Sequence, residues 1–232
     1  MNILTKNNIL RNFLVCRKCS AFSNILENRW CSMGYDEMYS EIVSQDRDWL
    51  IDKERIRAII KLELKPIAAD RILEIGRNKG EFVKYFQQFA PETYGIDINK
   101  SAVRNKVTEK IFLMGATKMG FKDGFFNKIY SSHTIEHISE SSKLFSEINR
   151  LLKPNGRVVL IYPFELFRGM AALRTAWQST GSIFKAKKLH VHTYCPKKIK
   201  RLINDKDMVH IYSKLFFART PQWLTVLEKK NA

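Results

Sequence analysis

The sequence predicts an α/β protein: a single domain built on a doubly wound, mostly parallel β-sheet with an antiparallel last strand. Three observations predict it. From Arg71 to Tyr162, short apolar runs that read as buried strands alternate with segments of helical periodicity. The first of those strands runs into a glycine-bearing turn, Gly76 to Gly80, and a helix follows. The last stretch abandons the alternation for two strand-like runs, Met208 to Phe217 and Gln222 to Glu228, which suit an antiparallel closing pair. Repeated strand and helix alternation implies a parallel sheet covered by helices on both faces.

Each element follows in order. Leu50, Ile56, Ile59, Ile60 and Leu64 predict a helix from Trp49 until Pro66 stops it. Strands are expected at Arg71 to Ile75, Thr93 to Ile98, Lys110 to Leu113, Lys128 to Ser131 and Arg157 to Tyr162. Between them Phe82, Val83, Phe86 and Phe89 mark one helix, Ser101 to Val107 a shorter one, and Leu144, Ile148, Leu151 and Leu152 a third. Lys153-Pro154-Asn155-Gly156 reads as the turn that ends the third helix. An aromatic and basic insertion, about 163–195 and including Phe164, Phe167, Trp177 and Phe184, interrupts the pattern before the closing strands. The domain is expected over 46–232, preceded by an arm over 1–45.

The chain has 232 residues, 45% hydrophobic and 27% charged, which is enough for one sizeable core and excludes disorder or a fibrous repeat. No apolar run approaches the roughly 20 residues of a membrane-spanning helix. The outlying property is charge: 40 Lys and Arg against 23 Asp and Glu give a formal net charge of +17. Between Lys185 and Arg201 every formally charged residue is basic. Such a balance concentrates anionic partners at the surface. The same pattern also describes a solvated helix face.

Four cysteines, Cys16, Cys19, Cys31 and Cys195, are too few and too unevenly placed for a disulfide framework, so a reducing compartment is expected. Cys16, Cys19 and Cys31 make three thiolates where a structural zinc site normally takes four ligands, and no metal is expected. The first residues carry Lys6, Arg11, Arg17 and Lys18 without an acid, and Ile3, Leu4, Ile9, Leu10, Phe13 and Leu14 fit one helix face. That composition reads as a cytoplasmic arm or as a mitochondrial transit peptide, with the matrix as the compartment in the second case.

In an open parallel sheet, ligands bind beyond the carboxyl ends of the strands. There the first strand presents Glu74-Ile75-Gly76-Arg77-Asn78-Lys79-Gly80. Gly76 and Gly80 let backbone approach a ligand closely. The spacing is not the G-x-G-x-x-G of a dinucleotide site, and Glu74 in front of the turn repels phosphate but attracts an ammonium group. S-adenosylmethionine carries an ammonium and a sulfonium and no phosphate. The second strand ends in Tyr94-Gly95-Ile96-Asp97-Ile98, placing a carboxylate where it accepts both hydroxyl hydrogens of a ribose.

The stretches RILEIGRNKGEF, YGIDI, GATKMGFKDGFFNKIYSSHTIEHI and EINRLLKPNGRVVLIYPF, in this order, resemble the class I S-adenosylmethionine-dependent methyltransferases, specifically the type 11 group. The resemblance covers Arg71 to about Tyr162 and implies the Rossmann-like fold of that class. It also implies that Glu74, Gly76, Asn78 and Gly80 cradle the methionine part of S-adenosylmethionine. Asp97 would take the ribose, with Ile98 beside it as a further cofactor-binding residue, and Ala116 and Thr117 in the Gly115 to Lys118 turn the adenine. Ser131 to Thr134 would face the sulfonium and the acceptor. The sequence departs from the family at Asn78, where glycine is usual, and at Gly115, where an acid is usual. Asn tolerates the left-handed backbone that a glycine there would adopt.

Methyl transfer needs mainly in-line positioning, and a general base only for a protonated acceptor. His133, His137 and His192 are the candidate bases, the first two in the S-H-T-I-E-H run and the third in His190-Val191-His192. Tyr35 and Tyr39 make the arm a candidate lid. The expected function is methyl transfer to a small-molecule acceptor, anionic or lipid-linked. Two alternatives are an RNA or protein methyltransferase, motivated by the charge, and a non-catalytic scaffold protein that keeps the fold, motivated by Asn78 and Gly115. Without a recognised RNA-binding module, nucleic acid is not favoured.

Overall fold

The computed structural model describes residues 13–15, 22–24, 52–76, 78–180, 182–218 and 220–231. Strands β1 (Phe13–Val15) and β2 (Phe22–Asn24) form a small antiparallel ribbon. Phe13 and Leu14 therefore sit in a strand and not on the helix face expected of them. The remainder of that face, Cys16, Cys19, Cys31, Tyr35 and Tyr39 lie outside the described residues.

The main chain course begins with α1 (Lys53–Leu64), capped at its start by the Asp52 carboxylate, which accepts from the Arg55 amide at 3.0 Å. Ile56, Ile60 and Leu64 are buried along one face, and Lys65 in a left-handed conformation closes the helix ahead of Pro66. There follow β3 (Arg71–Ile75), α2 (Glu81–Phe86), β4 (Glu92–Asp97), α3 (Lys100–Arg104), β5 (Ile111–Leu113) and β6 (Phe126–Ser132). Next come α4 (Ser141–Leu151) and β7 (Leu152–Pro163), then the short helices α5 (Leu173–Thr180), α6 (Ala186–Leu189) and α7 (Pro196–Leu202). The antiparallel hairpin β8 (Met208–Ala218) and β9 (Thr220–Lys229) ends the fold.

Sheet order is β5-β4-β3-β6-β7-β9-β8. Strands β3 to β7 pair in parallel, and β9 is antiparallel both to β7 and to β8. This is the doubly wound sheet expected, with its order reversing between β3 and β6. Alternation within strands builds two cores. Leu73, Ile75, Val158, Leu160 and Tyr162 join Leu144, Ile148 and Leu151 of α4 in one buried cluster. Ile72, Val159, Ile161 and Val226 join α1 and Phe86 in another. Both faces of β3 and β7 are thereby covered, which is why Ile72, Leu73 and Ile75, and Val158 to Ile161, read as apolar runs without strict alternation, Glu74 being the one charged residue among them.

Three of the differences from expectation stand out. Strand β7 starts at Leu152, directly after α4, and absorbs the Lys153 to Gly156 turn. Asn155 takes a left-handed φ of 58° there, and the β6–β7 register shifts between Phe126 and Lys128, so the turn becomes an irregularity inside a strand. Helix α3 is shorter than Ser101 to Val107, ending at Arg104. The insertion is not irregular throughout: it winds into α5, α6 and short 3₁₀ turns.

Candidate cofactor and acceptor site

The carboxyl ends of β3, β4 and β6 converge at the point where strand order reverses, the place where an open α/β sheet leaves a crevice. A surface cleft lined by Lys65, Asp70, Lys128, Lys153 and Arg157 lies instead at the amino ends of the strands and is no rival for the site. After β3 the backbone turns through Gly76 (φ 80°), Asn78 (φ 48°) and Gly80 (φ 97°). All three hold left-handed conformations. Asn78 thus occupies a position of the kind that favours glycine, and its residue type is among the few others that tolerate it.

Asp97, at the tip of β4, ties this turn down. Its Oδ2 accepts the Asn78 amide at 2.6 Å and its Oδ1 accepts the Asn99 amide at 2.8 Å. The Asp97 carbonyl takes the Met114 amide at 2.9 Å, fixing the start of the Gly115 to Lys118 turn. One half-buried side chain therefore sets the relative positions of two of the loops that rim the crevice. Glu74 is buried and accepts a hydrogen bond from the Tyr130 hydroxyl at 2.5 Å, across to β6. Ser131 is buried as well, its hydroxyl donating to the Ile75 carbonyl at 3.1 Å, so it clamps β6 to β3.

Glycine has a different use at each position. A Cβ on Gly76 would lie 1.9 Å from the Thr134 Oγ1, so the space left by that glycine is filled by the Thr134 side chain. Gly80 makes room for Ile111, at 3.0 Å. Around Gly115 no atom of the described residues lies within 4 Å of where a Cβ would stand. The open rim is completed by Ile98 and Leu113, apolar yet 37% and 50% exposed, and by half-buried Ala116 and Thr117.

The histidines gather after β6. His133 has a left-handed φ of 52°, and its Nε2 lies 3.0 Å from the Gln222 Oε1. Because the Gln222 amide nitrogen donates to the Ala218 carbonyl, its oxygen faces the ring and the imidazole Nε2–H is the donor. His137 donates through Nδ1 to the Leu189 carbonyl at 2.6 Å. His192 turns to the Ser139 carbonyl at 2.8 Å, near the surface. Burial holds His133 down to about 4 and His137 down to about 3. Burial also pushes the Glu136 carboxyl up to about 7. Of the H-x-H pair it is His190, not His192, that meets His137, with ring centroids 4.9 Å apart and edge to face. Burial opposes charge on His190, but the Glu165 hydrogen bond and the Glu136 and Glu165 charges outweigh it and raise its pKa. Glu165 was not legible as a site residue, since nothing in its sequence neighbourhood signals its distant partner.

A doubly wound sheet ordered this way, with an acid on the second strand clasping a left-handed turn after the first, defines a class I methyltransferase-type domain. Residues 48–207 match the Methyltransferase domain family, and the chain belongs to it. It is 30% identical over 108 residues to phosphoethanolamine N-methyltransferase 3 of Arabidopsis thaliana, a match covering 43% of this chain and 22% of that protein. Over 103 residues it is 30% identical to the uncharacterized methyltransferase YcgJ of Bacillus subtilis, covering 40% of this chain and 41% of that one. The matches thus span less than half the length of these curated relatives. The crystal structure of YcgJ superposes with a TM-score of 0.62 at 14% identity, over 77% of this chain and 99% of that chain. A solved S-adenosylmethionine-dependent methyltransferase of Mesorhizobium loti gives 0.61 at 13% identity, over 74% and 96%.

Proposed function

We propose that this chain binds S-adenosylmethionine in the crevice above β3 and β4 and transfers its methyl group to a small acceptor that is anionic or lipid-linked. The observation that carries the reading is the Asp97 carboxylate, bonded to the amides of Asn78 and Asn99 and half-exposed at the rim. A carboxylate oxygen has lone pairs beyond the one each amide uses, so Asp97 still accepts from ribose hydroxyls. The donor set fits the cofactor: no basic phosphate cradle is needed, and Ala116, Thr117 and the open space at Gly115 suit a flat aromatic base.

When bound, S-adenosylmethionine supplies an activated methyl group on a sulfonium that leaves as a neutral thioether. The chain's own part is to position and to exclude water. In this reading Glu74, Gly76, Asn78 and Gly80 form the methionine side, Asp97 and Ile98 the ribose side, and the backbone end of β6 at Ser131 faces the reacting group. His133, His137 and His192 belong to the acceptor side, each with one ring nitrogen already committed to a protein partner. The insertion beside them exposes Leu166, Phe167, Trp177 and Phe184, and also the basic Lys187 and Lys188. Exposed apolar and positively charged side chains on one insertion favour an amphiphilic, anionic acceptor.

A second reading, a scaffold that keeps the fold without the reaction, draws on Thr134 filling the space at Gly76. Calorimetric titration separates the two. The enzyme reading expects one equivalent of S-adenosylmethionine bound with a dissociation constant in the range of about 1 μM to 1 mM usual for enzyme substrates. Neither heat nor thermal stabilisation at millimolar cofactor would leave the scaffold standing and remove the enzyme.

A further inference from the structure

Just beyond β6, three side chains from two separate segments bring ligand atoms together. One such atom from each of Glu136, His137 and His190 lies within 4.8 Å of the other two. Glu136 and His137 come from the 3₁₀ turn Ile135–His137, and His190 from the end of the insertion, after α6.

Their surroundings prepare them as ligands. His190 Nδ1 donates to Glu165 Oε1 at 2.8 Å, and the same oxygen receives the Ala171 amide at 2.9 Å. An ionised carboxylate accepts only, so Glu165 fixes the proton on Nδ1 and makes Nε2 the lone-pair nitrogen of that ring. The Leu189 carbonyl does the same for His137 through its Nδ1. Metal-bound histidines show this outer arrangement almost without exception, with the far ring nitrogen donating to a carboxylate or a carbonyl. The third residue supplies an independent sign. Glu136 is 1% exposed, and its Oε2 is buried with no hydrogen-bond partner among the described residues. A buried carboxylate oxygen left so is costly, and a bound ion is one of the few things that satisfies it.

We propose that Glu136, His137 and His190 form a binding site for a divalent cation of the zinc type, with Glu165 and the Leu189 carbonyl as its outer partners. Two imidazoles and one carboxylate suit zinc or cobalt better than magnesium, which takes oxygen ligands. Three protein ligands leave a coordination position open, the pattern of reactive zinc sites. The cation also fastens the insertion to the turn that follows β6, because His190 and Glu165 belong to one and Glu136 and His137 to the other. Its use in the reaction rests on the methyl-transfer reading above. The open position takes a hydroxyl oxygen of the acceptor and lowers its pKa, and the proton passes to water. The oxygen lone pair then forms the new C–O bond while the methyl–sulfur bond breaks and its electron pair stays on sulfur.

The test uses the full chain, stripped with a chelator and titrated with zinc chloride alone and, separately, with cobalt(II) chloride. Without any cofactor present, its outcome does not depend on the methyltransferase reading. One equivalent of zinc is expected to bind, and cobalt is expected to show visible bands without a thiolate charge-transfer band, which separates this site from Cys16, Cys19 and Cys31. Glu165→Gln should weaken zinc roughly 10–100-fold, as outer-shell changes do. Glu136→Gln and His190→Gln should weaken it further, and His192→Gln should leave it unchanged. Glu136→Gln also removes a buried charge of the same shape, so the metal-free variant should melt no lower than the metal-free parent, and circular dichroism checks that His190→Gln is folded. Absent zinc binding, a thiolate spectrum, or undiminished binding in folded Glu136→Gln or His190→Gln would overturn the site. Catechol, a bidentate hydroxyl probe, should shift the cobalt bands of the parent; an unchanged spectrum at millimolar catechol would overturn the open position.

Discussion

Replacing Asp97 tests the cofactor site and the loop architecture in one variant. The side chain accepts two backbone amides, at 2.6 Å from Asn78 and 2.8 Å from Asn99. Hydrogen bonds to a charged acceptor contribute about 1.5–3 kcal/mol each. Asp97 is half-buried, so water replaces part of what Asp97→Ala removes, and the net loss of folding stability should be about 2–3 kcal/mol. For a chain of this size that lowers the melting temperature by roughly 5–10 °C. Binding loses more: the ribose contacts vanish, and the Asn78 turn is no longer pinned to β4. A loss of about 3 kcal/mol in affinity corresponds to roughly a hundredfold rise in Kd. Asp97→Asn keeps one acceptor oxygen but presents an amide nitrogen to the second donor, so it should recover less than half of either effect. Isothermal titration with S-adenosylhomocysteine, beside thermal melts in its absence, reads both quantities. The reasoning fails if Asp97→Ala binds within threefold of the parent, or if it loses binding with no change in melting.

Two further substitutions probe the rim and its support. Among the described residues no atom lies within 4 Å of a Cβ at position 115, so the carboxylate of Gly115→Asp has room there and adds a partner for the adenine amino group. A gain of about 1 kcal/mol, or roughly fivefold in S-adenosylmethionine affinity, should appear in titration and disappear with the inosine analogue. The segment after that turn is clamped by Arg150, which reaches the Met119 and Phe121 carbonyls at 2.8 and 2.9 Å and Glu147 through two bonds of 2.8 Å. The Arg150 hydrogen bonds, with help from the Met119 amide, hold the Glu147 carboxyl below its ordinary value of 4.5. Its stabilising effect is therefore complete above about pH 4.5 and is lost as pH falls through the depressed folded value. Glu147→Gln should cost about 1–2 kcal/mol at neutral pH, and its denaturation curve should converge with the parent's in strong acid. A gap that persists below the folded pKa would show that the carboxylate's charge is not what stabilises the clamp.

What the sequence showed follows from how each feature is encoded. Strands β3 and β7 were legible because both faces are buried, which favours apolar residues at successive positions, as at Ile72, Leu73 and Ile75 and from Val158 to Ile161. The left-handed turn was legible because its conformation restricts residue type locally, at Gly76, Asn78 and Gly80. The early start of β7 was not: Pro154, Asn155 and Gly156 carry turn chemistry, and only pairing of Leu152 with Phe126 makes that turn part of a strand. Thr134 was hidden for a similar reason. Its approach to Gly76 depends on the left-handed backbone at His133, a residue whose type does not announce it. The histidines show the difference most clearly. Of the His190-Val191-His192 pair the sequence reading singled out His192, while the fold sends His192 to the Ser139 carbonyl and His190 to Glu165. That division is set by the insertion, whose short helices return Leu189 and His190 to the end of β6. A set of side chains assembled from both sides of such a detour has no local signature, so it becomes visible only in the fold, where Glu136, His137 and His190 converge and a buried carboxylate oxygen on Glu136 finds no donor among the described residues.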